Sequence, residues 1–220
     1  MNSCFDQFNT DATVFLIEDD NELRNDIAQL MLTDHFKVLA YSNPKEFLKV
    51  AHPSNPAVIV TDMRMPEMSG IELQAELKKQ GRTTPIIFIS GRSEDYQIIK
   101  ALKGGAVDFL LKPFGWDNLK KAVIEAIEID IQFNQLALHQ KQLNQKLDLL
   151  TRREQQVFNL LLLGCKNQEI AEKLHLSAPT IKQHKSSIFH KLQVESVSEL
   201  FDLINPKTSR SRERFKRIEE

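Results

Sequence analysis

The first 127 residues alternate short apolar runs with longer amphipathic stretches. The apolar runs predict five strands, which are Val14 to Ile17, Lys37 to Tyr41, Val58 to Thr61, Ile86 to Ser90 and Asp108 to Leu111. A helical period predicts five helices, at Asn21 to Leu32, Pro44 to Val50, Gly70 to Gln80, Glu94 to Gly104 and Gly115 to Ile127. Strands that are apolar throughout are typical of a parallel sheet covered on both faces. The pattern therefore predicts a doubly wound α/β domain with a five-stranded parallel sheet, over residues 12–127.

Residues 128–149 contain neither glycine nor proline, and leucines recur there and just beyond at the heptad positions Leu136, Leu143 and Leu150. This spacing predicts a helical linker between two domains. Two interpretations of the linker are open. It forms a short coiled coil, or it is a solvated helix that continues the last helix of the first domain.

The rest of the chain has a helical pattern throughout, with predicted helices at Arg152 to Leu163, Asn167 to Leu174, Ala178 to Leu192 and Ser196 to Leu203. Their starts carry capping residues: Thr151 is followed three residues later by Glu154, and Ser177 precedes the third helix. We predict an all-α domain of four helices over residues 150–205. Residues 206–220 lack an apolar period and are rich in lysine and arginine, which predicts a basic, disordered tail.

Charge is distributed unevenly although the whole chain carries a net charge of only −1. Residues 1–125 hold 14 basic and 18 acidic side chains, whereas residues 151–220 hold 13 and 9. This asymmetry indicates that the second domain is the one that meets a polyanion. The two cysteines are too few for a disulfide framework, and no apolar run is long enough for a membrane span. We therefore expect a cytoplasmic protein without a secretion signal or a membrane partner.

Polar residues follow the predicted strands at the points where they end. They are Glu18, Asp19 and Asp20 after the first strand, Asp62 after the third, Ser90 at the end of the fourth and Lys112 after the fifth. The carboxyl ends of parallel strands meet at one edge of a sheet, so these side chains are expected to share a pocket. Several carboxylates held together repel one another unless they share a hard cation, and oxygen ligands favour Mg²⁺.

Such a pocket has the groups that phosphoryl transfer needs. Asp62 would be the nucleophile that forms an acyl phosphate, Lys112 would pair with the added charge, and the Ser90 hydroxyl would donate to a phosphoryl oxygen. We also predict a cis peptide bond between Lys112 and Pro113 that directs the lysine. The alternative is that the acids merely cap the helices that follow. That explanation suits any one residue but accounts poorly for all of them together.

In the second domain, residues 167–192 predict a helix, a short turn and a second helix, which is the geometry that places a helix in the major groove of DNA. The helical period puts Ile181, Ile188 and Leu192 on a buried face. The opposite face would carry the DNA-contacting side chains Lys182, Gln183, Ser186, Ser187 and His190. We expect Lys185 and Lys191 to reach phosphates and His184 to be structural. The alternative is a polar face that is simply solvated.

These residues belong to longer motifs. Residues 12–127 resemble the receiver domain of bacterial two-component response regulators through FLIEDD (15–20), VIVTDMRMPEMSGIEL (58–73), PIIFISGRS (85–93) and GGAVDFLLKPF (104–114). The resemblance implies a flavodoxin-like fold in which Glu18, Asp19, Asp62 and the backbone carbonyl of Arg64 hold Mg²⁺. It also implies that Ser90 and an aromatic residue, here Phe109, couple phosphorylation to a conformational switch. Phe109 has no hydroxyl, so this chain lacks the group for any part of the switch that uses a tyrosine hydroxyl.

Residues 150–200 resemble the LuxR-type DNA-binding domain over almost its whole length. Asn167 lies where that family contacts phosphate, although Lys166 and Gln168 beside it depart from the usual residues. A receiver joined to such a domain is similar to the NarL/FixJ subfamily. The resemblance implies a DNA-binding transcription regulator whose Asp62 is phosphorylated by a sensor histidine kinase.

The resemblance further implies that phosphorylation promotes homodimerisation, through the face formed by residues 94–104, Phe109 and the helix after Gly115, and promoter binding. We expect no enzymatic activity beyond slow loss of the phosphoryl group. The sequence disfavours two other functions. An aspartyl phosphohydrolase would need an acid at position 64, where the chain has Arg64. An adaptor with an inert receiver is disfavoured by the complete set of acids, serine and lysine.

Overall fold

The computed structural model describes residues 12–50, 56–91 and 95–205 and divides the chain into two compact units, Met1–Leu136 and Ala137–Glu220. The predicted tail at 206–220 and Glu94, the first residue of one predicted helix, lie outside the described residues. No helix within the described part of the chain is both long enough and apolar enough to cross a lipid bilayer.

The first unit contains a five-stranded parallel sheet in the order β2-β1-β3-β4-β5. The strands are β1 (Thr13–Ile17), β2 (Lys37–Tyr41), β3 (Ala57–Asp62), β4 (Ile86–Ser90) and β5 (Asp108–Leu111). The helices are α1 (Asn21–Thr33), α2 (Pro44–Val50), α3 (Gly70–Lys79), α4 (Asp95–Lys103) and α5 (Trp116–Leu147). This confirms the predicted fold class, with element limits close to the predicted ones except for α5.

Alternate residues of the central strands face two separate cores. Val14, Val60 and Ile87 belong to the core that includes α1 and α5. Phe15 and Phe88 belong to the core on the other face, which is covered by α2, α3 and α4. Because β1, β3 and β4 are buried on both faces, they carry apolar side chains at almost every position until the strand ends. The polar residues at those ends are therefore placed by a rigid apolar sheet.

Helix α5 extends 20 residues beyond Ile127, where the last receiver helix was predicted to end. The linker residues up to Leu147 continue the preceding helix, in which Leu143 is buried while Leu136 is half exposed. The coiled-coil interpretation requires a partner helix and stays a prediction. Asp130 explains part of the extension, because its carboxylate accepts a hydrogen bond of 2.9 Å from the backbone N–H of Ala57 at the start of β3. The first unit thus uses α5 past Ile127.

The second unit contains α6 (Arg152–Leu162), α7 (Asn167–Leu174), α8 (Ala178–Leu192) and α9 (Val197–Ile204). Their buried apolar side chains form one core. The predicted caps are present, since Thr151, Ser177 and Ser196 each accept a backbone hydrogen bond at a helix start. His175 adopts a left-handed conformation, with φ of 54°, at the end of α7. The turn between α7 and α8 therefore has the predicted three residues, 175–177.

Candidate functional site

The carboxyl ends of β1, β3 and β5 bring three charged side chains together. Ile17 of β1 pairs with Thr61 of β3, so the next residues along the chain, Glu18 and Asp62, lie side by side at the carboxyl ends of the two strands. Lys112 comes directly after β5, and its backbone N–H donates to the carbonyl of Ser90 over 2.8 Å. The peptide bond between Lys112 and Pro113 is cis, as predicted. The topology thus forms the pocket expected from the sequence.

Lys112 bridges the two carboxylates. Its ammonium group donates to Glu18 Oε2 over 2.8 Å and to Asp62 Oδ2 over 3.0 Å. The Glu18 side chain is only 1% exposed, and burial together with the negative charge of Asp62 raises the pKa of this carboxyl above its ordinary value. Burial alone would lower the pKa of Lys112, but its hydrogen bonds to Glu18 and Asp62 raise it. The lysine therefore stays charged between two acids.

The pocket has a donor set that suits a hard cation. Oxygens of Glu18, Asp19 and Asp62 lie within 4.8 Å of one another, and Asp19 is exposed while the other two are buried. All three offer only oxygen, and one lysine cannot neutralise three carboxylates. The backbone N–H of Arg64 donates to Asp62 Oδ1 over 3.3 Å, which holds the loop after β3 against the pocket. These residues fit a divalent cation such as Mg²⁺.

The remaining predicted pocket residues occupy three different settings. Asp20 caps α1, accepting hydrogen bonds from the backbone N–H groups of Glu22 and Leu23 over 2.9 and 3.2 Å. The side chain of Ser90 is buried at the end of β4, beside the pocket. Phe109 is half buried in β5 and packs against the core that includes α3 and α4. Asp20 therefore fits the capping alternative.

Gly70 is a pocket residue that sequence reasoning missed. A Cβ atom at this position would lie 2.5 Å from the carbonyl oxygen of Asp62 and 2.9 Å from the ring of Phe88. The N–H of Gly70 also donates to the carbonyl of Met63 over 3.0 Å, so α3 begins directly against the end of β3. A glycine at the first position of a helix, where larger residues are favoured, was the available signal.

In the second unit, α8 presents the polar face that the sequence predicts. Lys182, Gln183, Ser186 and His190 are exposed, whereas Ile181, Ile188 and Leu192 are buried in the core. Lys185 is partly buried, with its ammonium nitrogen 5.4 Å from the centre of the Phe189 ring. Asn167, the first residue of α7, is also partly buried. The exposed group forms a row of hydrogen-bonding side chains along one helix face.

Ser187 and Lys191 differ from that group because both contact Glu154 of α6. The Ser187 hydroxyl donates to Glu154 Oε1 and the Lys191 ammonium to Oε2, each over 2.6 Å. Burial would raise the pKa of Glu154, but hydrogen bonds from Lys191, Ser187 and Thr151 lower it to about 2. The capping-box spacing predicts only the contact with Thr151, since Ser187 and Lys191 are 33 and 37 residues away from Glu154 in sequence.

Comparisons with known proteins identify the families of both units. A family model described as the response regulator receiver domain matches residues 14–124, and one described as bacterial regulatory proteins, luxR family, matches residues 148–204. The response regulator protein TodT of Pseudomonas putida is 34% identical over 189 residues, which cover 86% of this chain and 83% of that protein. The transcriptional regulatory protein FixJ of Rhizobium meliloti is 31% identical, covering 87% and 94%. The low-resolution structure of the response regulator StyR, 35% identical, superposes with a TM-score of 0.78 over 90% of this chain and 100% of that one.

Proposed function

The chain belongs to the response regulators that join a receiver domain to a LuxR-family DNA-binding domain, in the NarL/FixJ subfamily, and we propose that phosphorylation of Asp62 by a partner histidine kinase controls its binding to promoters. The observation that carries this proposal is the pocket in which Lys112 bridges Glu18 and Asp62 at the ends of the strands. A carboxylate held beside an ammonium group and two further acids is suited to accept a phosphoryl group.

In the proposed reaction, a carboxylate oxygen of Asp62 attacks the phosphorus of a phosphohistidine. The new P–O bond forms as the P–N bond breaks, and the histidine leaves with the nitrogen electron pair. Glu18, Asp19, Asp62 and the carbonyl of Arg64 would hold Mg²⁺, which neutralises charge on the transferring group when bound. The Lys112 ammonium lies 3.0 Å from Asp62 Oδ2 and can pair with the negative charge of the added phosphoryl group.

We also propose that the protein has no substrate of its own. The acyl phosphate on Asp62 is lost slowly by hydrolysis, so the chain acts as a phosphorylated switch in the cytoplasm rather than as an enzyme. The row of exposed side chains on α8 supports duplex DNA as the partner of the second unit, since it carries Lys182 and Gln183 on a face free of core residues.

Phosphorylation is expected to shift the protein from a monomer to a dimer. Ile99 and Leu102 of α4 and Leu111 of β5 are about half exposed, at 51%, 47% and 56%, which supports a self-association surface on that side of the receiver. Phosphorylation can shift the monomer–dimer equilibrium only by as much as it favours one state. Leu102→Glu should therefore keep the phosphorylated protein monomeric in light scattering, whereas Leu30→Glu, an equally exposed leucine on α1, should not. Dimerisation of the Leu102→Glu variant would contradict this surface.

Phosphorylation of Asp62 is tested by intact mass after incubation with acetyl phosphate and Mg²⁺. The parent protein should gain one phosphoryl group and the Asp62→Asn variant none. Asp26→Asn is the matched control, because Asp26 is an exposed acid on α1. Equal incorporation into the Asp62→Asn variant would refute the proposed acceptor. Gel shifts with promoter DNA, with and without the phosphoryl donor, then test the link to DNA binding.

A further inference from the structure

Glu154 ties the first helix of the second unit to its DNA-facing helix, and we propose that it is a positioning residue that fixes α8 and keeps the charge of Lys191 out of the DNA interface. The inference rests on the proposed function, since it concerns how this unit reads duplex DNA. It assigns Ser187 and Lys191 to the interior contact between α6 and α8, although the sequence pattern places them among the DNA contacts.

The Glu154 carboxylate is buried, and both of its oxygens accept hydrogen bonds. Glu154 is 4% exposed, and its two oxygens accept from the Ser187 hydroxyl, the Lys191 ammonium and the backbone N–H of Thr151 over 2.6, 2.6 and 2.7 Å. Charge-assisted hydrogen bonds of this length are the strongest that side chains form. Two of the three donors come from α8, at positions one helical turn apart. The carboxylate therefore fixes both the rotation of α8 about its own axis and its position along that axis relative to α6.

Helix geometry separates these donors from the side chains that face outward. At 100° per residue, Ser187 and Lys191 lie on one flank of α8, and Lys185 lies on the opposite flank. Lys182 and Ser186 project between the flanks and are exposed. If Lys191 swung away to a DNA phosphate, it would leave the buried Glu154 carboxylate without its cation, which is strongly unfavourable. Lys191 is thus expected to stay on Glu154 when DNA binds.

The salt dependence of binding distinguishes a positioning lysine from a phosphate contact. Each lysine on a phosphate releases counterions, so affinity falls as salt rises. The salt slope, here the magnitude of the slope of log affinity against log salt concentration, should decrease by about 1 when such a lysine is lost. Lys185→Gln should show that decrease. Lys191→Gln should leave the slope for a scrambled duplex unchanged, yet weaken binding to the cognate duplex roughly tenfold because α8 is no longer held in register. Lys191→Arg should restore cognate affinity, since it keeps the charge and the donor.

Glu154→Gln should change the salt slope in the direction opposite to that of Lys185→Gln. Without the carboxylate, the Lys191 ammonium is released, so the salt slope on scrambled DNA should rise by up to about 1 while cognate affinity falls. Adding Lys191→Gln to this variant should return the slope to that of the parent. A purely structural defect would weaken both duplexes and would not respond to the second substitution.

The experiment uses the full-length phosphorylated protein, fluorescence anisotropy, a duplex selected by the parent from a random library and a scrambled version of it. Failure of the parent to bind either duplex would remove the proposed DNA-binding function rather than the role of Glu154. If the parent binds and Lys191→Gln lowers the slope as much as Lys185→Gln does, Lys191 is a phosphate contact and the inference is overturned. Should Glu154→Gln not fold, Ser187→Ala tests the same joint: it should weaken only cognate binding, and equal weakening of both duplexes would overturn the inference.

Discussion

Each of the two units contains a buried glutamate paired with a lysine, and the pairs differ in the direction of the glutamate's pKa shift. In the first unit, burial and the nearby Asp62 carboxylate raise the pKa of Glu18 although Lys112 is 2.8 Å away. In the second unit, the pKa of Glu154 falls to about 2 with Lys191 at 2.6 Å. In similar glutamate–lysine pairs at similar distances, the pKa of the glutamate is therefore shifted in opposite directions.

The difference lies in the ratio of donors to negative charges. Glu154 alone receives a lysine, a hydroxyl and a backbone N–H, so its charge is fully compensated. Glu18 shares one lysine with Asp62, and Asp19 adds a third carboxylate within 4.8 Å. A compensated carboxylate is a structural joint, whereas a deficit of positive charge marks a place where a cation or a reaction is expected.

The largest expected effect comes from removing the cation of the deficient site. Lys112→Met removes the ammonium group that bridges Glu18 and Asp62, and should slow phosphorylation by acetyl phosphate roughly 100-fold, the usual cost of losing one charge-stabilising group. The same variant should bind Mg²⁺ more tightly in calorimetry, because the ion no longer competes with the Lys112 ammonium for the two carboxylates. Lys120→Met, which removes a lysine paired with Asp34 outside the pocket, should change neither quantity. A Lys112→Met variant phosphorylated at the parental rate would show that the deficit has no functional meaning.

Neutralising Glu154 should destabilise the second unit, whereas neutralising Glu18 should not destabilise the first. Glu154→Gln removes the charge that Lys191 pairs with and should lower the unfolding free energy of the second unit by about 3 kcal/mol. Glu18→Gln relieves repulsion with Asp62 and should leave the first unit unchanged or raise its unfolding free energy by up to about 1 kcal/mol without divalent metal. Denaturant unfolding in a chelator can separate the units, because the single tryptophan, Trp116, reports on the first and circular dichroism on both. Equal losses in the two variants would contradict the comparison.

Acid should remove the contribution of Glu154 over a defined range. Its folded pKa of about 2 lies below the ordinary 4.5, so the stabilisation is fully present above pH 4.5 and is lost as the pH falls towards 2. The stability difference between the parent and Glu154→Gln should therefore shrink by about 2 kcal/mol over that range. The raised pKa of Glu18 has the opposite sign, because its folded form binds its proton more tightly than the unfolded chain. A difference that is independent of pH would show that Glu154 acts through shape alone.

The part of this picture that the sequence predicts is the part encoded locally. The strands were found because apolar runs that end in polar residues define both the sheet and its ligand-binding edge, and Lys112 and Asp62 follow from that. How the linker joins the preceding helix stays open in the sequence because no glycine or proline marks a boundary there, and because the contact of Asp130 with Ala57, 73 residues away, leaves no local signal. The joint at Glu154 was missed for the same reason, since a capping box is visible within four residues and a contact with α8 is not.

The smallest expected effect concerns Asp130, a buried carboxylate outside both pairs whose supply of donors lies between those of Glu18 and Glu154. One of its oxygens accepts from the Ala57 N–H and the Asn134 amide over 2.9 and 3.0 Å, and burial raises its pKa. Both donors are neutral, so an amide oxygen can replace the carboxylate. Asp130→Asn should change the unfolding free energy of the first unit, followed by Trp116 fluorescence, by less than about 1 kcal/mol, whereas Asp130→Ala, which leaves both donors without an acceptor, should cost about 2 kcal/mol. A large loss in Asp130→Asn would show that burial of charge, rather than the supply of donors, decides the balance at all three sites.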